Sequence, residues 1–509
     1  MSIPTVRQSG QTTVDAALLR VVKGSVLIFL GMLLARVFGF LRQFLVIRML
    51  SPTDYGLFAL GLTIVTVIVS VGSLGLYQGA QRFIAFNMEK EDYPKVKGTI
   101  QSSIWITTAV GVLFMVLAMV FANSLAGFFA KPQLKSLLLI MAPTIPFQIV
   151  GMILTASFLG LHNPSPKVAI EDIGFGVVSV IAVYISLLIT RSLYSPAIAI
   201  SVSFFLVLLA SIYIFRSRFP LNLRNIKASP IARQLLYFSL PLFLTSALYM
   251  VIGNTDTIVV GHFMASEQVG FYNAAFLLMM IIPIFLSAVS IIYLPVATSL
   301  RAKKAHAESL RLYQSSTRWP FVLAFPIFLT FFLFPAQTIS LFFGSRYSTA
   351  ATALWILSLG ALINTCLGPN ANALVAYGET RMVLYCSLAA AAIDVVLCLL
   401  LVPRIGISGA AIATASALGV SSILYSSLLW IRHKLHPFDR KYVLTILFLF
   451  AIGVALYYPL RAAINRAHWL VLVIYPLFLI AGLLFIVLTR SISEEDRLLW
   501  RLARDRFRR

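Results

Sequence analysis

Ser51-Pro52-Thr53-Asp54-Tyr55-Gly56-Leu57-Phe58 returns further along the chain, altered but alignable, as Ala265-Ser266-Glu267-Gln268-Val269-Gly270-Phe271-Tyr272. When Gly56 is set on Gly270, the apolar stretches before and after the two segments fall into register. Ser195-Pro196-Ala197-Ile198-Ala199 is echoed in a similar way by Ser408-Gly409-Ala410-Ala411-Ile412-Ala413. Two copies of a six-helix unit in parallel orientation, with two helices left over, is the architecture implied. Repeats of this sort place a substrate between the halves and permit alternating access.

Composition fixes the solvent around those helices. Of 509 residues, 60% are hydrophobic and only 11% are charged, whereas charged residues make up about a quarter of a soluble domain. An all-α integral membrane protein is expected. The formal charge of +23 does not indicate nucleic acid, because the Lys and Arg are scattered in short clusters between apolar runs and form no basic domain. Residues 1–20 are polar and lack a small-residue cleavage pattern, and the apolar run that follows is longer than a signal-peptide core, so this segment is expected to be retained. Cys366, Cys386 and Cys398 lie in apolar segments, which supports neither a disulfide framework nor a thiolate metal site.

Apolar runs bounded by charges or by Pro, Gly and Asn turns place about fourteen transmembrane helices. They fall at 24–49, 56–86, 99–122, 134–161, 168–190, 194–216, 234–262, 268–298, 317–343, 350–377, 381–402, 408–431, 442–464 and 469–489. The chain then divides into an N-terminal segment (1–23), an N-lobe (24–216), a linker (217–233), a C-lobe (234–431), two further helices (442–489) and a basic tail (490–509).

Cytoplasmic connections should be richer in Lys and Arg than external ones. With the N-terminus inside, the cytoplasmic side receives Arg216, Arg218, Arg224, Lys227 and Arg233, then Arg301, Lys303, Lys304, Arg311 and Arg318. Arg432, Lys434, Arg440, Lys441 and the tail from Arg490 to Arg509 join them. The external side keeps only Lys131, Lys135, Arg191, Arg346, Arg404, Arg461 and Arg466. Both termini are therefore expected in the cytoplasm, and the location expected is the cytoplasmic (inner) membrane of a prokaryote.

The first helix carries Ala35-Arg36-Val37-Phe38-Gly39-Phe40-Leu41-Arg42, with Arg48 at its outer end. An Arg near the bilayer centre costs at least about 2.5–3.5 kcal/mol, so it is a functional-site hypothesis by default. Guanidinium forks match phosphate oxygens bidentately, and Arg36, Arg42 and Arg48 are the candidate ligands of a lipid-linked diphosphate. Six residues turn a helix through about 240°, so the three arginines do not share one face unless the helix bends near Gly39; Arg48 is placed to snorkel to headgroups. The alternative is pairing with structural carboxylates or helix C-termini.

Acidic residues inside spans are equally sparse. The repeat sets Asp256, within Gly253-Asn254-Thr255-Asp256-Thr257, at the position of Arg42, and Asp394 lies in the eleventh span. Asn254, Asp256, Asp394 and Thr414 are candidates for coupling to Na⁺ or H⁺, against a structural ion pair for Asp256 and a helix cap for Asp394. Glu171 and Asp172 are read as the start of the fifth helix, where acidic groups suit the macrodipole. Gln78, Gln81, Asn370 and Asn372 are cavity candidates whose simpler role is helix packing, as is that of Gly72, Gly75 and Gly79. The dispersed histidines build no zinc site, there is no Walker A motif, and no loop is long enough for an external catalytic domain. No enzyme, no cofactor and no metal ligand set are expected, and a monomer is expected.

Leu50-Ser51-Pro52-Thr53-Asp54-Tyr55-Gly56, Asn254-Thr255-Asp256, Val269-Gly270-Phe271-Tyr272-Asn273-Ala274 and Pro403-Arg404-Ile405-Gly406-Ile407-Ser408-Gly409-Ala410-Ala411 resemble the polysaccharide flippases (Wzx-like) of the multidrug/oligosaccharidyl-lipid/polysaccharide exporter superfamily. The resemblance spans almost the whole chain. It implies two six-helix lobes arranged as a V, two additional helices, ion coupling in the second lobe, glycan-assembly enzymes as partners, and outward movement of polyprenyl-diphosphate-linked oligosaccharides. The first helix also looks like that of lipid II flippases, whose arginines there are thought to engage the diphosphate. Basic residues those flippases carry in the second and eighth helices are absent, with Ser70 and Phe276 in their places, so another glycan precursor is preferred to lipid II. A multidrug antiporter of the same superfamily is the main rival and favours an acidic, aromatic cavity for cations. A membrane glycosyltransferase is the second.

Overall fold

The computed structural model describes residues 7–218, 226–466 and 468–488, and among them the chain is helical with no strand. Twelve helices among the described residues are long and apolar enough to cross a membrane. The expected seventh and fourteenth spans correspond to the helices Ala232–Phe263 and Val471–Leu488. The basic tail from 490 lies outside the described residues, as do residues 1–6 of the N-terminal segment.

Local chemistry explains where helices start. Ser51 Oγ accepts from the Asp54 amide at 3.1 Å and donates to Asp54 Oδ2 at 2.7 Å, a capping box in front of the helix Pro52–Gly72 with Pro52 at its first position. Asp92 caps the helix Tyr93–Val120 and its carboxylate takes Lys95 Nζ at 2.6 Å. That contact holds the Asp92 carboxyl below its usual range. Within the same helix Thr99, Ser103 and Thr107 are fully buried and each returns its hydroxyl to the carbonyl four residues back. Polar groups in a water-poor interior are thus satisfied without a partner helix.

Several expected spans are interrupted, among them the ninth, which breaks at Phe334 between His306–Leu333 and Pro335–Phe343. The second breaks between Pro52–Gly72 and Leu76–Glu89, where Gly75 has φ +68°; the eighth breaks between Ser266–Met279 and Ile284–Ala302. The fourth breaks between Gln133–Met141 and Thr144–Gly160, and the tenth between Ala351–Cys366 and Asn370–Ala376, where Gly368 has φ +72°. Second with eighth and fourth with tenth are the pairs that the repeat equates. The fifth span (Ser165–Ile189) is irregular in another way, winding as a π-helix over Val168–Gly174.

The chain forms two compact units that exchange segments: Met1–Leu50 with Gly61–Met250, and Ser51–Leu60 with Val251–Arg509. In the first unit a Cβ on Gly31 of the first helix (Arg7–Met49) would lie 2.7 Å from Val168 and 2.8 Å from Asp172, and one on Gly176 would lie 2.6 Å from Phe38. These glycines let side chains of one span pack directly onto the backbone of the other. Gly75 meets the backbone at Ser239 and Phe243, and Phe83 stacks edge-on against Phe238 at 5.4 Å.

In the second unit the two repeat-related motifs meet. A Cβ on Gly56 would overlap Ser266 O and lie 2.8 Å from the Gly270 nitrogen; one on Gly270 would overlap Pro52 O. Tyr55 and Phe271 both pack edge-on against buried Tyr347, at 6.4 and 5.9 Å. The Pro403–Gly409 motif is a helix junction: Gly406 (φ +63°) divides Thr380–Ile405 from Ile407–His433, and a Cβ on Gly409 would strike the Leu401 backbone at 2.6 Å. Arg318, read from sequence as part of a cytoplasmic connection, is buried within the helix His306–Leu333.

Candidate functional site

Among the described residues, each unit holds a constellation of charged and polar side chains within its spans. In the first unit a cavity of about 350 Å³ is lined by Ala35, Gly39 and Arg42 of the first helix, by Gln148 and Thr155 of Thr144–Gly160, and by Glu171 and Asp172 on the π-helical turn. Phe147, Phe175 and Phe204 complete much of its apolar wall. The Arg42 guanidinium lies over the Phe175 ring, 5.3 Å from its centroid, and donates to Ser179 Oγ at 3.3 Å. Its Nε is buried with no hydrogen-bond partner among the described residues. A stacked, partly unsatisfied guanidinium in an apolar cavity retains the donors that a planar oxyanion would need.

Arg36 does not share this cavity. It is exposed, although its neighbours Ala35 and Gly39 line the wall, because six residues of α-helix carry it to another face than Arg42. Arg48 is exposed near the helix end, so the three-arginine set contributes one cavity residue. Gln78 is exposed, and Gln81 is half-buried with its carbonyl under Gly160.

Glu171 and Asp172 bear on a second expectation. They lie near the start of the span, at its seventh and eighth residues, and their environment depends on the π-turn. In an α-helix Lys167 would face Glu171, four residues on, while Asp172 would be about 140° away. Bonding five residues apart instead aligns Lys167 with Asp172, and their side chains meet at 2.6 and 2.8 Å in a buried ion pair. Glu171 is thereby turned to the cavity, where Thr155 donates to its Oε2 at 2.7 Å. Nothing in the residue pattern announces this, because helical periodicity assumes 3.6 residues per turn.

The second unit gathers Asp256, Asp394, Cys398, Thr414 and Tyr272, all buried. Tyr272 OH and Thr414 Oγ1 donate to Asp256 Oδ2 at 2.5 and 2.6 Å, and Cys398 Sγ donates to Oδ1 at 3.0 Å. Asp394 presents two buried oxygens with no hydrogen-bond partner among the described residues. One ligand atom from each of Asp256, Asp394 and Cys398 falls within 4.8 Å of the others. Two ionised carboxylates at that separation repel by about 3 kcal/mol even at an effective dielectric of about 20, so the arrangement calls for a proton or a cation.

Three of the four ion-coupling candidates thus converge: Asp256, Asp394 and Thr414. Asn254 lies two residues, about 200° of helix, from Asp256. Tyr272 and Cys398 escape the residue pattern because each reads as an ordinary apolar-face residue. Cys398 lies beside both carboxylates, and all three cysteines are free thiols. Asn370 bonds Ser422 O at 3.0 Å and Ser426 Oγ at 3.1 Å, and Asn372 reaches Ser290 O at 3.4 Å, which makes both helix-packing groups.

The fold is that of a multi-span helical membrane protein, and it is similar to that of an inward-facing multidrug resistance transporter of the MATE family, with a TM-score of 0.66 and 13% identity. Residues 21–301, more than half the chain, match the family described as polysaccharide biosynthesis protein, and the chain belongs to that family. Residues 241–400 also match the MatE family. The chain is 25% identical over 459 residues to the membrane protein MJ1068 of Methanocaldococcus jannaschii, covering 84% of this chain and 87% of that one. It is 25% identical to the succinoglycan biosynthesis transport protein ExoT of Rhizobium meliloti, over 62% of this chain and 61% of that protein. Its fold is similar to that of the lipid II flippase MurJ in an inward closed conformation, with a TM-score of 0.73, 16% identity, and coverage of 91% of this chain and 99% of that one.

Proposed function

We propose that this chain is a flippase that carries a polyprenyl-diphosphate-linked oligosaccharide from the cytoplasmic to the external leaflet by alternating access, for surface polysaccharide or glycan assembly. The observation that carries the reading is Arg42, stacked on Phe175 with a buried, unpartnered Nε in the cavity of the first unit. Membership of the polysaccharide biosynthesis family and the similarity to a succinoglycan biosynthesis transport protein support the substrate class. Arg42 engages the diphosphate, while Asp256, Asp394 and Thr414 take up the coupling Na⁺ or H⁺. The protein forms and breaks no bond in its cargo. It works as a monomer in the cytoplasmic membrane, with both termini cytoplasmic, as the distribution of basic residues supports. The N-lobe and C-lobe read from the repeat are the parts that alternate.

The test is translocation of a fluorescent polyprenyl-diphosphate glycan in vesicles. Arg42→Ala should reduce the rate to background, whereas Arg36→Ala, changing an exposed residue, should retain most of it. Wild-type transport by Arg42→Ala overturns the reading. Glu171 in the same cavity, together with the MatE match, favours a second reading, efflux of organic cations. Export of a cationic dye in place of the glycolipid would identify it.

A further inference from the structure

The cavity of the first unit holds a group that a plain diphosphate clamp does not need. Glu171 is an acid facing the same space as Arg42, and an ionised carboxylate there opposes entry of a diphosphate. Its charged surroundings can be enumerated. From its own helix come Lys167 and Asp172, which neutralise each other in a buried pair. The first helix brings Arg42, and Leu76–Glu89 brings Tyr77, close enough to feel both carboxylates. Thr144–Gly160 brings the hydroxyl of Thr155 and the amide of Gln148, and Tyr194–Arg218 brings Ser211, Phe204 and Val207. Lys167 makes its close contact with Asp172, although its charge also reaches Glu171; among the described residues lining the cavity, Arg42 is the cation without a carboxylate contact and Glu171 the anion without a cation contact.

We infer that Glu171 is a proton-binding site coupled to anion capture: a proton taken up on its carboxylate leaves Arg42 as the net charge of the cavity, and release of that proton expels the diphosphate. This deepens the flippase reading and rests on it. The step is balanced. One proton enters from water with the ligand and bonds to a Glu171 oxygen; Thr155, a hydroxyl that both donates and accepts, serves the carboxylate in either state. The same proton leaves with the ligand. Proton and diphosphate then favour each other's binding by the same factor, as linkage requires. The π-turn makes this available, since in a regular helix Lys167 would neutralise Glu171 instead.

The experiment uses the full chain in lipid nanodiscs, with farnesyl diphosphate as the probe and calorimetry at about pH 5.5 and about pH 8 in buffers of different ionisation enthalpy. The probe's own titration is common to all variants, so the readout is wild type against Glu171→Gln. Wild type should lose about tenfold more affinity than Glu171→Gln on going to the higher pH, and should take up close to one more proton per ligand bound. Equal pH ratios and equal proton counts overturn the inference. Should Glu171→Gln not fold, Thr155→Val, which removes the hydroxyl bonded to Glu171, is expected to move the wild-type affinity transition along the pH axis; an unmoved transition overturns the inference. Arg42→Ala separates the two claims. Unchanged binding in that variant sinks the clamp itself, whereas lost binding alongside identical wild-type and Glu171→Gln pH profiles sinks only the proton site.

Discussion

Arg42 and Arg36 show what a residue pattern conveys and what it withholds. Both were legible as costly cations in an apolar span, but only the helical phase tells which faces a cavity, and Arg36 is exposed. Asp256, Asp394 and Thr414 were legible for the same reason, since charge in a lipid-facing sequence stands out. Cys398 and Tyr272 were not, because a thiol or phenol among apolar residues looks like packing until its partner is seen. Asp394→Asn should leave a folded protein whose glycolipid transport no longer responds to a Na⁺ or proton gradient, read as the ratio of rates with and without the gradient. Asp172→Asn makes a different prediction. It strands buried Lys167, and losing one partner of a buried pair costs about 3–5 kcal/mol, so thermal unfolding in detergent should shift markedly downward. Adding Lys167→Met should recover much of that loss.

At the scale of the helix, interruptions rather than lengths carry the information. The apolar runs located the spans because about 20 apolar residues cross a bilayer. Hydropathy averages over a break, however, so the junctions at Gly75, at Gly368 and around 280–283 merged into single long segments. The π-turn at Val168–Gly174 was hidden for a related reason: one extra residue in a turn leaves composition untouched and changes only which side chains align. Glycine at a backbone crossing is testable here. Gly56→Ala must displace the Ser266 carbonyl and Gly409→Ala the Leu401 backbone, and overpacking of this kind costs about 1–3 kcal/mol or more. Both variants should show lower melting temperatures than Gly127→Ala, whose added methyl meets nothing within 4 Å.

At the scale of the whole chain, the repeat relates pairs of interrupted spans. It equated the second with the eighth span and the fourth with the tenth, and both members of each pair are broken. It did not convey that the first ten residues after Leu50 pack with the second unit, because an exchange of segments leaves no trace in linear order. The orientation it supports is measurable: reporter fusions at 227 and at 303 should report cytoplasmic exposure, and one at 191 external exposure.

The contact between Gly56 and Gly270 has a bearing on the chain's ancestry. If the two motifs descend by duplication from one segment, each glycine now faces its own copy. In an unduplicated ancestor working as a pair of identical subunits, that meeting would have been isologous, with one codon supplying both sides. A single mutation would have been felt twice there; fusion into one chain let the two sides diverge, and the flanking residues have done so, Tyr55 to Val269 and Leu57 to Phe271, while the glycines at the crossing have not.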